Sequence, residues 1–370
     1  MRIGNTPMPF DWGIVDGLSE RLDLPRTGKP QAELWLGAHP LHPAQFLDDD
    51  RSYSDLAAWG TLPFMFKVLA VNRVLSLQVH PNTDQARAGY AREQANGVAL
   101  DAPERSFRDQ HAKPEMVVAI DGPFSALCGF RDLEDTAQLL RWLARFRPAL
   151  KQIADFVRTH TVREVLSDIS RISGEIEPAL DEAKGQQAPP HLFAHVEENI
   201  AALQTIAEQY PGDPGIGSAT LLNYVRLQPG DALWLPTGTP HAYLSGYAVE
   251  IMGPSDNVLR GGLTNKHVDC QAFLDALEAE PRAPQVFLEK ESVATTTFHP
   301  EFRACEKPEF SLTRITGSAD VAVSTYACLL VLDGKFHVDG REICRGQSVL
   351  LEPGNTRVTG TGQAFLAQGV

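Results

Sequence analysis

The chain has 370 residues and a formal net charge of −14 at pH 7, with 43% hydrophobic and 22% charged residues. That length can bury one large core or two to three domains, and the composition is that of an ordinary globular protein. The acidic balance argues against nucleic acid or an anionic membrane as partner, while leaving room for a local basic pocket that takes an anionic small molecule. Five widely spaced cysteines (128, 270, 305, 328 and 344) contain no CxxC pair, which fits free thiols in a reducing cytoplasm. Met1 to Gly13 lacks a secretory pattern, and no apolar run reaches the roughly 18–20 residues that span a bilayer. A cytoplasmic protein is expected.

Residues 1–130 are rich in Pro, Gly and short apolar runs. Phe64 to Val71, Leu75 to His80 and Glu115 to Ile120 read as strands, and Asn82 to Asn96 as a polar helix capped by Asn82, Thr83 or Asp84. Trp12, Glu33, Trp35 and His39 are expected to pack the first strand. From Asp132 to about Tyr210 the apolar residues take helical spacing. Leu139, Leu140, Leu143, Phe146 and Leu150 form one stripe, Val196, Ile200, Leu203 and Ala207 another, with a loop from Lys184 to Pro190. β character returns at Thr220 to Leu227, Ala232 to Leu235, Ala242 to Leu244 and Ala248 to Met252. A Pro-containing connection at 281–285 leads to a last β region. The expectation is a mainly β protein with an α-helical insert: a first β domain from 1–130 and 212–280, a helical domain at 131–211, and a C-terminal β domain at 281–370.

The densest information lies in Gly230-Asp-Ala-Leu-Trp-Leu-Pro-Thr-Gly-Thr-Pro-His241-Ala-Tyr243. A glycine turn feeds a buried strand, and a Pro/Gly turn then delivers His241 to the start of the next strand. Gly346 to Gly354 repeats the glycine, apolar run and Pro-Gly turn, but no His follows; Arg357 and Val358 stand nearby. Gln78 and His80, two apart in a strand, face one side. Glu115 opens an apolar strand, where a carboxylate needs a partner. Each residue alone also fits a surface or packing role. Together they offer two imidazoles, a carboxylate and an amide oxygen, a set suited to Zn²⁺ and shared by Fe²⁺ and Mn²⁺. Asp256-Asn257-Val-Leu-Arg260-Gly-Gly-Leu-Thr-Asn-Lys266 places two cations around a Gly-Gly turn that can receive a phosphate, without the spacing of a nucleotide P-loop.

These residues resemble the type I mannose-6-phosphate isomerases, zinc enzymes of the cupin superfamily. Gly230…Pro236-x-Gly238-x-x-His241 matches the second cupin motif, and Gln78-x-His80 the first, with its Glu displaced to Glu115. Ala32-Glu-Leu-Trp-Leu-Gly-Ala-His-Pro40, Lys113-Pro-Glu115 and Ser255 to Lys266 add family pieces in the family's order. The resemblance implies two jelly-roll barrels, a catalytic one and a degenerate, metal-free C-terminal one. It implies interconversion of D-mannose 6-phosphate and D-fructose 6-phosphate through a cis-enediol, in mannose metabolism and GDP-mannose supply. It also implies one Zn²⁺ per chain on Gln78, His80, Glu115 and His241. Arg260, Lys113, Glu250, Tyr243 and Asp256 fall on catalytic positions; Lys266, Lys67 and Ser76 are expected at the substrate's phosphate. Lys113, Glu250 and a metal-bound water stay open as the base. A sugar phosphate is the expected partner, and a monomer the expected state. A cupin Fe²⁺ dioxygenase is disfavoured by Gln78 and by the Arg260/Lys266 pair; a non-catalytic sugar-phosphate sensor, or an isomerase for a related sugar phosphate, is the alternative. One position departs: the family His before Lys-Pro-Glu is Ala112 here, with a histidine one place earlier, at His111. Neighbours in extended chain face opposite ways, so His111 is not expected to replace it.

Overall fold

The computed structural model describes residues 1–48, 62–288, 294–298 and 309–370. Two nine-stranded sheets dominate it. The first is built around two long antiparallel strands, Glu115–Phe130 and His241–Met252, flanked by Met65–Val71, Leu77–Val79, Leu222–Leu227, Ala232–Leu235 and Leu259–Gly262. The second is built around Ala327–Val338 and Gly354–Gly369. Two short strands cross the divisions expected from sequence. Arg2–Gly4 pairs with Ser348–Leu351 in the second sheet, and Gln285–Phe287 pairs with Ala232–Leu235 in the first.

Strand parity explains how the two sheets share a core. In Met65–Val71 the even residues Phe66, Val68 and Ala70 pack with Cys328, Leu330 and Phe365 of the second sheet. The odd residues Leu69 and Val71 turn inward to join Val117, Ala119 and Leu233. Met116, Val118, Trp234, Val249 and Ile251 also face the second sheet. The inward side of the same strands therefore carries Lys67, Glu115 and Glu250. The interior of the second sheet is apolar: Leu329, Val331, Phe336, Val349, Val358 and Leu366 fill it. Val358 is fully buried there and Arg357 is exposed, so apolar side chains occupy the ground of the metal motif's echo.

The segment expected as two strands, Ala242 to Leu244 and Ala248 to Met252, is one bent strand. Its register breaks between Tyr243 and Ala248. Gly246 sits at the bend with φ 115°, and a Cβ there would lie 2.8 Å from the Pro123 carbonyl oxygen. The break flips the alternation, so Tyr243 and Glu250 face the same interior although seven residues apart. The strand expected from Thr220 starts at Leu222, because Gly215–Thr220 forms a helical turn whose Gly215 N–H is held by Asp213 at 2.7 Å.

The polar helix spans Thr83–Ala95, with Asn82 and Gln85 forming a reciprocal capping box. The insert contains Leu133–Leu143, Leu150–Thr159, Val162–Ser167, Ile169–Glu182 and Val196–Gln209. Its stripes converge on one core with Leu77, Val79 and Leu259 of the first sheet. Arg131 ties the insert down from a buried position. It donates to Asn199 Oδ1 at 3.1 Å and to the Thr220 carbonyl at 2.6 Å, and lies 4.1 Å from the Phe193 ring centroid. Cys128, Cys270, Cys328 and Cys344 are free thiols. No helix among the described residues is long and apolar enough to cross a membrane.

Candidate metal centre and sugar-phosphate cavity

Gly238 makes the turn before His241. Its φ is 79°, its N–H donates to the His80 carbonyl at 2.9 Å, and its own carbonyl accepts from Glu278 N at 2.9 Å. The turn is thus bonded directly to the strand end carrying His80, and His241 pairs in register with Gln78. On the other side His241 faces the strand that Glu115 opens.

The result is a buried cluster. One ligand atom from each of His80, Glu115 and His241 lies within 4.8 Å of the others. Glu115 Oε1 is 3.2 Å from His80 Nε2, and Glu115 Oε2 is 3.4 Å from His241 Nε2. The far ring nitrogens are committed: His80 Nδ1 to the Asn257 carbonyl at 2.8 Å and His241 Nδ1 to the Thr239 carbonyl at 3.0 Å. A carbonyl only accepts, so each Nδ1 carries the proton and each Nε2 presents a lone pair. His80 Nε2, His241 Nε2 and Glu115 Oε2 are all buried with no hydrogen-bond partner. Three convergent acceptors stripped of donors are costly without a cation, and this donor set suits Zn²⁺.

Electrostatics agree. Burial, then the nearby Lys113 charge, pushes His80 down to about 4, keeping it neutral and able to ligate. Burial would raise the Glu115 carboxyl, yet the Lys113 ammonium, 3.0 Å away, holds it well below its ordinary value. Deeper in, Lys67 Nζ is 3.2 Å from Glu33 Oε2 and 3.7 Å from Glu250 Oε2, and Trp35 Nε1 donates to Glu33. Tyr243 Oη donates to Glu250 Oε1 at 2.8 Å. Burial, then the Glu115 charge, raises Glu250 to about 7 against the opposing pull of Lys67 and Lys113.

Glu115, Lys67, Glu33, Trp35, Tyr243 and Glu250 border a cavity of about 790 Å³, which Gln78, Ser76, Lys113, Asp256, Arg260 and Lys266 also line. That is a small-molecule volume. Trp12, Glu33 and Trp35 line it too, so the expectation that they merely pack the first strand is corrected. The reason is parity: Glu33 pairs with Leu69 and Trp35 with Lys67, on the inward side. His39 Nε2 lies 3.0 Å from Asp256 Oδ2.

His111 is exposed, and Ala112 stands beside it. What the local sequence builds instead is a clamp through Asn257, which reasoning from sequence passed over. Its fully buried amide accepts from Arg108 N at 2.7 Å and Asp109 N at 3.2 Å, and donates to the His111 carbonyl at 3.1 Å. Its backbone carbonyl is the one that orients His80.

Similarity to known proteins points the same way. Residues 9–133 match the catalytic-domain model of phosphomannose isomerase type I. Mannose-6-phosphate isomerase of Escherichia coli (strain K12) is 35% identical over 304 residues, covering 75% of this chain and 74% of that protein. The chain belongs to the type I phosphomannose isomerase family. The human mannose-6-phosphate isomerase is 32% identical over 287 residues, covering 68% of this chain and 64% of the relative. The crystal structure of the Salmonella typhimurium mannose 6-phosphate isomerase bound to fructose 6-phosphate and zinc superposes with a TM-score of 0.85 at 28% identity, covering 100% of this chain and 98% of that one. The likeness to a solved mannose 6-phosphate isomerase thus extends through residues 309–370 of the second sheet.

Proposed function

We propose that this phosphomannose isomerase family member interconverts D-mannose 6-phosphate and D-fructose 6-phosphate, with one Zn²⁺ held by His80, Glu115, His241 and Gln78. The observation that carries the reading is the set of three buried, donor-free ligand atoms, one of them on Glu115 in the wall of a small-molecule cavity. When bound, zinc supplies Lewis-acid stabilisation for negative charge developing on the substrate's oxygens.

The chain's own residues do the rest. An aldose–ketose shift moves a proton between C2 and C1 of the open sugar, so a group must hold that proton at neutral pH. Glu250 is placed for this. Tyr243 fixes one of its oxygens, and its raised pKa lets it both take and return a proton. Lys113 keeps Glu115 ionised and adds a positive charge beside the candidate ligand cluster, where it would stabilise enediolate charge. Arg260, register partner of Gln78, brings a second cation to the same side. Asp256, paired with His39, sits on the wall where a ring oxygen could be handled. Residues 131–211 serve as an inserted helical domain, and the C-terminal barrel backs the catalytic one. The chain is taken as a monomeric cytoplasmic enzyme.

The test is a coupled assay of mannose 6-phosphate to fructose 6-phosphate on protein as purified, after chelator, and after zinc is restored. Activity lost with chelator and regained with zinc is expected. No turnover from zinc-replete protein would sink the reading and favour a sugar-phosphate sensor.

A further inference from the structure

Seven cationic side chains line the cavity, and they divide sharply by partner. Lys67 is held by Glu33 and Glu250, Lys113 by Glu115, and Arg105 by Glu93 at 2.9 Å; Arg73 faces Asp11 at 3.5 Å. Arg108, Arg260 and Lys266 have no carboxylate within ion-pair distance among the described residues. Arg260 Nε is also buried without an acceptor. These three feel one another: burial and the neighbouring guanidiniums lower Arg260 and Lys266 from their ordinary values. Unpaired cations packed together on one wall of a protein of net charge −14 mark a place for a multiply charged anion.

Position separates their tasks. Arg260 is half-buried on the strand beside Gln78, next to the metal ligands, whereas Arg108 and Lys266 are exposed at the cavity's outer end. The Arg108 backbone is fixed there by the Asn257 clamp. Lys67, expected near the phosphate from sequence, is committed to two carboxylates.

We propose that Arg108 joins Lys266, already expected at the phosphate, in gripping that group and sets the preference for a phosphorylated sugar, leaving Arg260 for the reacting carbons. This assignment rests on the isomerase reading for the identity of the substrate. A charge-assisted hydrogen bond to phosphate is worth about 1.5–3 kcal/mol, so its loss weakens binding roughly ten- to a hundredfold.

The test uses zinc-replete full-length enzyme and inorganic phosphate as the probe. Arg108→Gln is expected to raise KM for mannose 6-phosphate about tenfold or more, to weaken competitive inhibition by phosphate by the same factor, and to place the loss on KM rather than kcat. Arg108→Lys should restore part of both, and Arg73→Gln should leave phosphate inhibition at the parental value. Unchanged KM and phosphate inhibition in Arg108→Gln would overturn the assignment. So would a loss confined to kcat, or an equal effect from Arg73→Gln, which would mean a diffuse field and no specific grip. Calorimetric titration of phosphate into the parent and Arg108→Gln proteins keeps the two readings apart. If mannose 6-phosphate is not turned over, the isomerase reading fails, while loss of phosphate binding in the variant still supports the subsite.

Discussion

Lys113→Met separates the charge that the metal can replace from the charge that chemistry needs. Lys113 Nζ lies 3.0 Å from Glu115 Oε1, and both residues are buried. At an effective dielectric of about 20, a unit pair at that distance attracts by about 5 kcal/mol, and breaking a buried pair by removing one partner costs about 3–5 kcal/mol. Removing the ammonium from the zinc-free protein leaves Glu115 ionised among two neutral imidazoles, so most of that cost should appear as lost stability. With zinc bound, the ion itself answers the carboxylate, and the loss should shrink to about 1 kcal/mol, near the scale of an ordinary core substitution. The zinc-dependent gain in stability is therefore larger in Lys113→Met than in the parent. Urea unfolding with chelator and with excess zinc measures the two increments, and competition against a chromophoric chelator measures affinity. Zinc content is expected to be retained and turnover lost. Equal destabilisation with and without zinc would refute the charge-exchange reasoning, and near-normal kcat would remove Lys113 from the chemistry.

Three further outcomes follow from the geometry. Glu250→Gln should abolish turnover and change the pH dependence of the chelator-treated protein's stability. A carboxyl raised from 4.5 to about 7 by folding contributes nothing adverse below 4.5 and costs progressively more as pH rises through 7. The variant's stability relative to the parent should therefore climb across that window by on the order of 3 kcal/mol, and a pH-independent difference would contradict the shift. Trp234→Ala, at the junction of the two sheets and 6.2 Å from the Phe310 ring centroid, should cost about 3–5 kcal/mol in denaturant melts while leaving zinc affinity intact. Arg131→Ala leaves Asn199 buried without its partner; it should cost about 2–3 kcal/mol and speed limited proteolysis between Glu182 and Val196, and an unaltered cleavage rate would mean that Arg131 does not hold the insert down.

The candidate metal cluster of His80, Glu115 and His241 was legible because local rules place it. Pro236 and Gly238 fix a turn, His241 follows at set spacing, and the two-residue period aligns Gln78 with His80. The helical insert was legible from its stripes, since helix periodicity needs no knowledge of partners. What stayed hidden depends on contacts distant in sequence. Nothing in Tyr243-Leu-Ser-Gly-Tyr-Ala-Val-Glu250 announces that the alternation breaks, because the bend comes from Gly246 meeting Pro123 and Phe124 on another strand. Glu33 and Trp35 looked like packing residues until pairing with Met65–Val71 set their parity. Arg108 drew no notice because its meaning lies in what it lacks, a carboxylate partner, and a linear pattern does not display that. The short strand Arg2–Gly4 could not be assigned to the second sheet, since its partner at Ser348–Leu351 lies at the other end of the chain.

The shared strands carry a consequence for how this protein can change. Phe66 and Lys67 are neighbours in sequence, yet one seals the seam between the two barrels and the other sits in the reaction chamber. A single-residue deletion within Met65–Val71 would send the phenylalanine into the sugar site and strand the ammonium in the seam. Substitution can tune either face alone, but any shift of frame spoils both together. A change of length is therefore tolerable only at the ends of these strands, and the second barrel, apolar inside, is bound to the same register as the catalytic one.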